Sequence, residues 1–319
     1  MSDPLLVVRN LRVEFGAFTA LHDISFDVGP GETVGLVGES GSGKSTLARA
    51  LLRLLPAAGG QVVWRGENLL AMGAADLRRR RRDLQIVFQD PMASLNPRLR
   101  VGDTLAEPLK MFEPALSGEA RATRISAMLE RVGLSADMAR RFPHEFSGGQ
   151  CQRIGIARAM MPQPKLLICD EPVSSLDVSI QGQIVNLLAD LQRDLGTSML
   201  FISHNLAVVR HLSHRVLVIY RGRLVEVADR AALFAQSAHP YTRALLAAVP
   251  DPTHAFAGRA LTTGDEPSSS PRSTGCSFHD RCPHVQPVCV GVVPPLEAVA
   301  PRHLVACHRW REVVYPKAP

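Results

Sequence analysis

No run of about 18 consecutive apolar residues occurs anywhere in the 319-residue sequence, so no helix is expected to span a bilayer. The start, Met1-Ser2-Asp3-Pro4 and a short Leu/Val run, lacks both a basic n-region and an apolar h-region with a small-residue cleavage site. A soluble chain that stays in the cytoplasm is therefore expected. Internal repeats are also missing. A formal net charge of +6 would suit nucleic acid, yet the densest basic run, Arg78 to Arg82, has no interleaved aromatics and no reading helix. No nucleic-acid partner is expected. The run reads as a solvated basic face or, on the alternative reading, as a face near anionic headgroups of the cytoplasmic leaflet. Cysteine is sparse outside one region: of six, Cys151 and Cys169 lie alone, whereas Cys276, Cys282, Cys289 and Cys307 crowd into the tail. In a cytoplasmic chain that clustering favours metal over disulfides.

What is present is an ordinary globular composition, with 46% hydrophobic and 21% charged residues, enough to bury a core. Turn residues and short β-branched runs alternate from Leu5 to Val37, and strand-like runs recur at Gln61–Trp64, Leu84–Phe88, Leu166–Cys169, Met199–Ile202 and Val216–Tyr220. Helical patterns between several of them predict an α/β fold with a largely parallel core sheet. Between Asp90 and Pro162 the strand signal stops and Ile125, Met128, Leu129 and Val132 follow helical spacing, which predicts an inserted helical subdomain. From about Asp251 to Ser273 the chain is rich in Pro, Ser, Thr and Gly without periodicity, as expected of a linker.

The strand Thr33–Val37 runs into Gly38-Glu39-Ser40-Gly41-Ser42-Gly43-Lys44-Ser45-Thr46, and a helical pattern of Leu47, Leu51, Leu52 and Leu55 follows. Strand, G-x-x-x-x-G-K-[ST] and helix together define a phosphate cradle. Its glycines let backbone N–H groups turn inward, the helix N-terminus adds positive potential, Lys44 reaches β/γ oxygens and Ser45 can ligate Mg²⁺. Alone, the motif says only nucleotide triphosphate. A second apolar strand ends in Asp170-Glu171-Pro172, placing two carboxylates where phosphate chemistry would occur. Asp170 suits Mg²⁺, directly or through water, and Glu171 suits orientation or deprotonation of the attacking water. Cys169 reads as a small core hydrophobe.

Phe146-Ser147-Gly148-Gly149-Gln150, followed by Gln152-Arg153 and Ala157-Arg158-Ala159, resembles the ABC signature LSGGQ, with Phe146 in place of Leu. The implied fold is an ABC-type P-loop ATPase, a RecA-like core with an N-terminal antiparallel β region and an inserted α-helical subdomain. The resemblance implies that Ser147, Gly148, Gly149 and Gln150 close in trans over nucleotide on a second cassette. It also implies that Gln89 senses Mg²⁺ and γ-phosphate while facing a permease, that Asp177 couples the two sites, and that His204 contacts the γ-phosphate. Phe15, just before Gly16, aligns with the aromatic residue on which adenine stacks, although a core role competes.

Gln89-Asp-Pro-Met-Ala-Ser-Leu-Asn-Pro97, Cys151 after the signature, and His239-Pro240-Tyr241-Thr242-Arg243-Ala244-Leu245-Leu246 resemble the ATP-binding subunits of oligopeptide and dipeptide importers. Without the resemblance, the last of these reads as a short capped helix packed on the cassette. The expected organisation is a cassette over residues 1–237, with its helical subdomain at about 90–162, and an extension over 238–319. The expected function is ATP hydrolysis on the cytoplasmic face of the membrane, energising import. Peptide is the leading substrate, with nickel chelates, glycosides, or a soluble ABC-fold ATPase without a permease as alternatives. Implied partners are two permease subunits, a second cassette and, indirectly, an extracytoplasmic binding protein. The tail spacing Cys276-x5-Cys282-Pro283-x5-Cys289 and then Cys307-His308 leaves zinc, an iron–sulfur cluster or free thiols open. The resemblance favours a structural [4Fe–4S] cluster on the four cysteines, with His279 and His308 as less favoured zinc ligands.

Overall fold

The computed structural model describes residues 3–248 and 274–314. The linker expected at about 251–273 lies outside them. Two sheets organise the cassette. The first is antiparallel and built from β1 (Leu6–Phe15), β2 (Phe18–Val28), β4 (Gly59–Trp64) and β5 (Glu67–Asn68), in the order β2-β1-β4-β5. Its strands alternate buried and exposed residues in β1 and β2, as expected where one face packs and the other meets water.

The second sheet has eight strands: β3 (Thr33–Val37), β6 (Leu84–Val87), β7 (Leu166–Asp170), β8 (Ser198–Ile202), β9 (Arg215–Tyr220), β10 (Arg223–Asp229), β11 (Glu297–Ala300) and β12 (His303–Val305). Their order is β11-β12-β10-β9-β3-β8-β7-β6. β9, β3, β8, β7 and β6 pair in parallel, whereas β10, β12 and β11 continue the sheet antiparallel. Every residue of β3, β7 and β8 is buried. That is why those segments read as unbroken apolar runs: both faces of a central parallel strand are covered. The parallel core matches the expectation, but the antiparallel edge does not follow from it. β11 and β12 come from the tail and pair onto the cassette, a contact between residues such as Val227 and Leu304 that no local pattern signals.

The helices are α1 (Lys44–Leu51), α2 (Ala74–Arg80), α3 (Val101–Phe112), α4 (Gly118–Arg131), α5 (Gly148–Met160), α6 (Val178–Leu195), α7 (Leu206–Leu212), α8 (Arg230–Gln236), α9 (Pro240–Ala247), α10 (Pro287–Gly291) and α11 (Trp310–Val314). α3, α4 and α5 share their own apolar cluster, in which Leu105, Leu109, Leu129 and Ile154 are fully buried. Ile125 and Leu129 of α4 are its inward residues, so the helical spacing marks a real core face. The end of α2 carries the arginine run: Arg79 pairs with Asp76, Arg80 with Glu67 at 2.5 Å and Arg82 with Glu113 at 3.1 Å. These exposed pairs contribute little energy and suit the solvated-face reading. Cys169 is fully buried, and burial pushes its thiol far up.

Candidate functional site

β3 delivers the chain to Gly38, where close packing decides the residue type: an added Cβ would lie 2.2 Å from the Ile219 carbonyl oxygen. At the other end of the loop, Gly43 has φ 103° and precedes α1, a conformation that side-chain-bearing residues avoid. No side chain caps α1, so its first N–H groups remain available to an anion held by the loop.

The side chains expected around phosphate meet in one continuous chain. Lys44 is buried, and its ammonium donates to the carbonyls of Gly38 at 2.8 Å and Glu39 at 2.9 Å. It also lies 3.4 Å from Glu171 Oε1. The Ser45 hydroxyl donates to Asp170 Oδ1 at 2.8 Å. Burial pushes the Asp170 carboxyl up, and the Ser45 hydrogen bond and the Arg49 charge oppose that shift. Glu171 Oε2 is 3.1 Å from His204 Nδ1. Three strands bring these groups together: the loop follows β3, the carboxylates end and follow β7, and His204 follows β8. Gln89, two residues past β6 and exposed, lies at the same carboxyl edge of the parallel strands, where ligands of open α/β sheets bind.

Glu171 has φ 48°, a left-handed conformation costing a non-glycine residue about 1–2 kcal/mol. Its neighbours fix it: its N–H donates to Ile202 O at 3.1 Å, and its carbonyl accepts from the Ser174 N–H at 3.2 Å and hydroxyl at 3.0 Å. Backbone strain maintained by surrounding structure is common where a side chain must be aimed.

Other expected residues lie apart from that chain. Phe15 is 48% exposed, so it does not serve the core. Asp177 is exposed before α6. Ser147 and Gln150 form a reciprocal cap at the start of α5: Gln150 N–H donates to Ser147 Oγ at 3.3 Å, and Ser147 N–H donates to Gln150 Oε1 at 3.0 Å. Among the described residues no hydrogen bond joins 147–150 to the phosphate loop of the same chain. Gly149 packs on α6 instead, where a Cβ would lie 2.7 Å from Ile180.

In the tail, Cys276, Cys282, Cys289 and Cys307 line one cavity together with His239 and Phe278. Its free space is about 10 Å³, room for roughly one water. Among the described residues no three His, Cys, Asp or Glu side chains are placed to share a metal ion. Burial raises the thiols of Cys276 and Cys282, and that of Cys307 to about 12. His279 and His308 each engage a carbonyl, Cys276 O at 2.8 Å and Val292 O at 2.9 Å.

Two contacts at the phosphate loop escaped sequence reasoning. The Glu39 N–H donates to Tyr241 Oη at 2.8 Å, and Arg281 donates to Glu39 Oε2 at 2.8 Å. Tyr241 belongs to a noticed motif, but Arg281 carries no local signal. It is 242 positions from its partner.

A P-loop after β3, a carboxylate pair at the end of β7 and a histidine after β8, the strand between them, define a nucleotide-hydrolysing ATPase of the cassette type. The ABC transporter family matches residues 21–174, and the family of oligopeptide/dipeptide transporter C-terminal regions matches residues 225–289. The chain is 50% identical to the oligopeptide transport ATP-binding protein OppF of Salmonella typhimurium, covering 95% of each protein. It is 48% identical to a putative peptide import ATP-binding protein of Brucella abortus, covering 96% of this chain and 98% of that protein. Among solved structures, cbiO1 of Clostridium perfringens, part of an ABC transporter complex, aligns with a TM-score of 0.66 at 26% identity over 73% of this chain and 92% of that one. A dimeric ATP-binding cassette bound to ADP and phosphate aligns with a TM-score of 0.65 at 28% identity over 70% of this chain and 98% of that one. The chain belongs to the oligopeptide/dipeptide importer family of ABC transporter ATP-binding subunits.

Proposed function

We propose that this chain binds and hydrolyses ATP at the cytoplasmic face of a membrane to energise the import of di- or oligopeptides. The observation that carries the reading is the chain Lys44, Ser45, Asp170, Glu171 and His204, assembled at the carboxyl ends of three neighbouring strands. The relatives' peptide transport names support the substrate class. Among the described residues no helix is long and apolar enough to cross a membrane; the likeness to importer ATP-binding subunits implies separate permease subunits. Two of these, a second cassette of the same or a related kind, and indirectly an extracytoplasmic binding protein are the proposed partners.

In this reading residues 38–46 hold the ATP phosphates, and Lys44 is the cation nearest the transferring group. Ser45, Asp170 and Gln89 hold Mg²⁺. Glu171 orients and deprotonates the attacking water, a role its two contacts suit: the Lys44 ammonium lies 3.4 Å from one carboxylate oxygen, and the His204 contact at the other fixes its rotation. His204 then contacts the γ-phosphate. Phe15, exposed at the end of β1, stacks on adenine. Ser147, Gly148, Gly149 and Gln150, which among the described residues make no hydrogen bond to their own phosphate loop, act on the partner's nucleotide, with Asp177 coupling the two sites. ATP binding closes the pair of cassettes and hydrolysis reopens them, driving the permease through differential affinity.

The cassette is assigned to residues 1–237, with the helical subdomain at about 90–162, and the extension to 238–319. The four tail cysteines are assigned to a structural [4Fe–4S] cluster. Four thiols lining one cavity supply that donor set, and, since no three of the described side chains are placed around one ion, they would rearrange to hold it. The small free space requires them to move outward on loading.

The test is copurification of the tagged chain from solubilised membranes, with iron and acid-labile sulfide measured on the same sample. Two permease subunits, a second cassette and about four irons per chain are expected. No membrane partner would overturn the transporter reading, and zinc or no metal would overturn the cluster.

A further inference from the structure

Glu39 is held at three of its polar groups, and two of the partners come from outside the cassette core. Its carbonyl accepts from the Lys44 ammonium at 2.9 Å, inside the loop. Its N–H donates to the hydroxyl of Tyr241 in α9 at 2.8 Å. Its carboxylate accepts from the Arg281 guanidinium at 2.8 Å, and Arg281 lies between Cys276 and Cys282 in the tail. Neither outside partner is loosely held. Tyr241 is fully buried, with its ring 4.5 Å from that of Tyr220 and 5.4 Å from that of Phe278. The Arg281 guanidinium lies 5.8 Å from the Phe278 ring centroid. Phe278, fully buried, stands edge-on to Tyr220 with centroids 5.3 Å apart. The three rings bridge the end of β9, the start of α9 and the cysteine segment.

This arrangement is more than packing, because it ends on the loop that cradles phosphate. Gly38, the residue before Glu39, is already pressed against Ile219 of β9. The loop therefore enters its turn fixed on one side by the sheet and on the other by Tyr241 and Arg281. Anion-binding loops work by presenting backbone N–H groups in a fixed concave array, and any freedom lost on ligand binding reduces affinity.

We propose that the C-terminal extension completes the nucleotide site, with Tyr241 and Arg281 acting as positioning residues that hold the phosphate loop at Glu39 in its anion-binding shape. This rests on the ATPase reading above and adds to it that the extension is needed for ATP affinity. Neither residue touches the phosphates. The chemical step is left to Lys44 and Glu171, so the deficit on removing either contact falls on binding.

The test uses the full-length chain assembled with its copurified partners, measuring KM for Mg-ATP, kcat at saturation and the thermal unfolding midpoint. Arg281→Ala and Tyr241→Phe are each expected to raise KM about fivefold, as loss of one charge-assisted or buried hydrogen bond implies, with kcat changed by less than about twofold. Arg281→Lys, which keeps the charge, should recover most of the affinity. In a Glu39→Gln background Arg281→Ala should add almost nothing, because the arginine acts through that carboxylate. Unchanged KM in Tyr241→Phe and Arg281→Ala would overturn the proposal, as would effects of Glu39→Gln and Arg281→Ala that simply add. If Arg281→Ala lowers the midpoint, Tyr241→Phe, which keeps the ring packing, decides the matter alone: a raised KM supports the proposal and an unchanged one overturns it. An unmodified chain that fails to bind Mg-ATP would instead sink the ATPase reading.

Discussion

Single positions carry much of the phosphate loop. The G-x-x-x-x-G-K-S spacing is legible because its demands are local: a close backbone approach at Gly38, a left-handed turn at Gly43, and an ammonium and hydroxyl at the start of a helix. Gly38→Ala would place a methyl group 2.2 Å from the Ile219 carbonyl. It is expected to cost about 1–3 kcal/mol and to weaken ATP binding by displacing the loop, which calorimetric titration and a thermal melt would register together. The φ of 48° at Glu171 was not legible, since a left-handed glutamate is imposed by β8 and Ser174. The Arg281 contact was equally hidden, because a pair separated by 242 positions leaves no periodicity to read.

At the scale of elements, the strands and helices that line the nucleotide edge were recoverable because parallel strands covered on both faces are continuous apolar runs, as in the fully buried β7 and β8. The antiparallel edge was not, because β11 is largely exposed and short and pairs with β12, whose partner on the other side is the distant β10. What fastens that tail is Glu226 of β10, fully buried. Its carboxylate accepts the N–H groups of Ala238 at 2.6 Å and His239 at 3.0 Å and lies 2.7 Å from His303 Nε2. Glu226→Ala strands two buried donors and a histidine, and is expected to cost about 3–5 kcal/mol. Limited proteolysis should then release the extension while α1 and β3 stay protected; an unchanged cleavage pattern would show that the sheet pairing alone suffices. At the start of α5, Ser147→Ala removes a cap worth about 1 kcal/mol. In mixed dimers carrying it on one chain, the partner's nucleotide site should lose more turnover than the altered chain's own, and the opposite asymmetry would refute action in trans.

For the whole molecule, surface arginines such as Arg80 and Arg131 pair with carboxylates, Glu67 and Asp194. Phe15, 48% exposed, lies where adenine is proposed to stack. On the proposed reading, Glu171 activates water in one cassette while residues 147–150 close over nucleotide on the other, so hydrolysis requires assembly. The most direct test of that account is ATP turnover by the assembled transporter carrying Glu171→Gln, with Mg-ATP binding measured on the same preparation. Binding should persist while turnover falls by about 100-fold or more, as loss of a positioned base implies. Near-normal turnover would contradict the account.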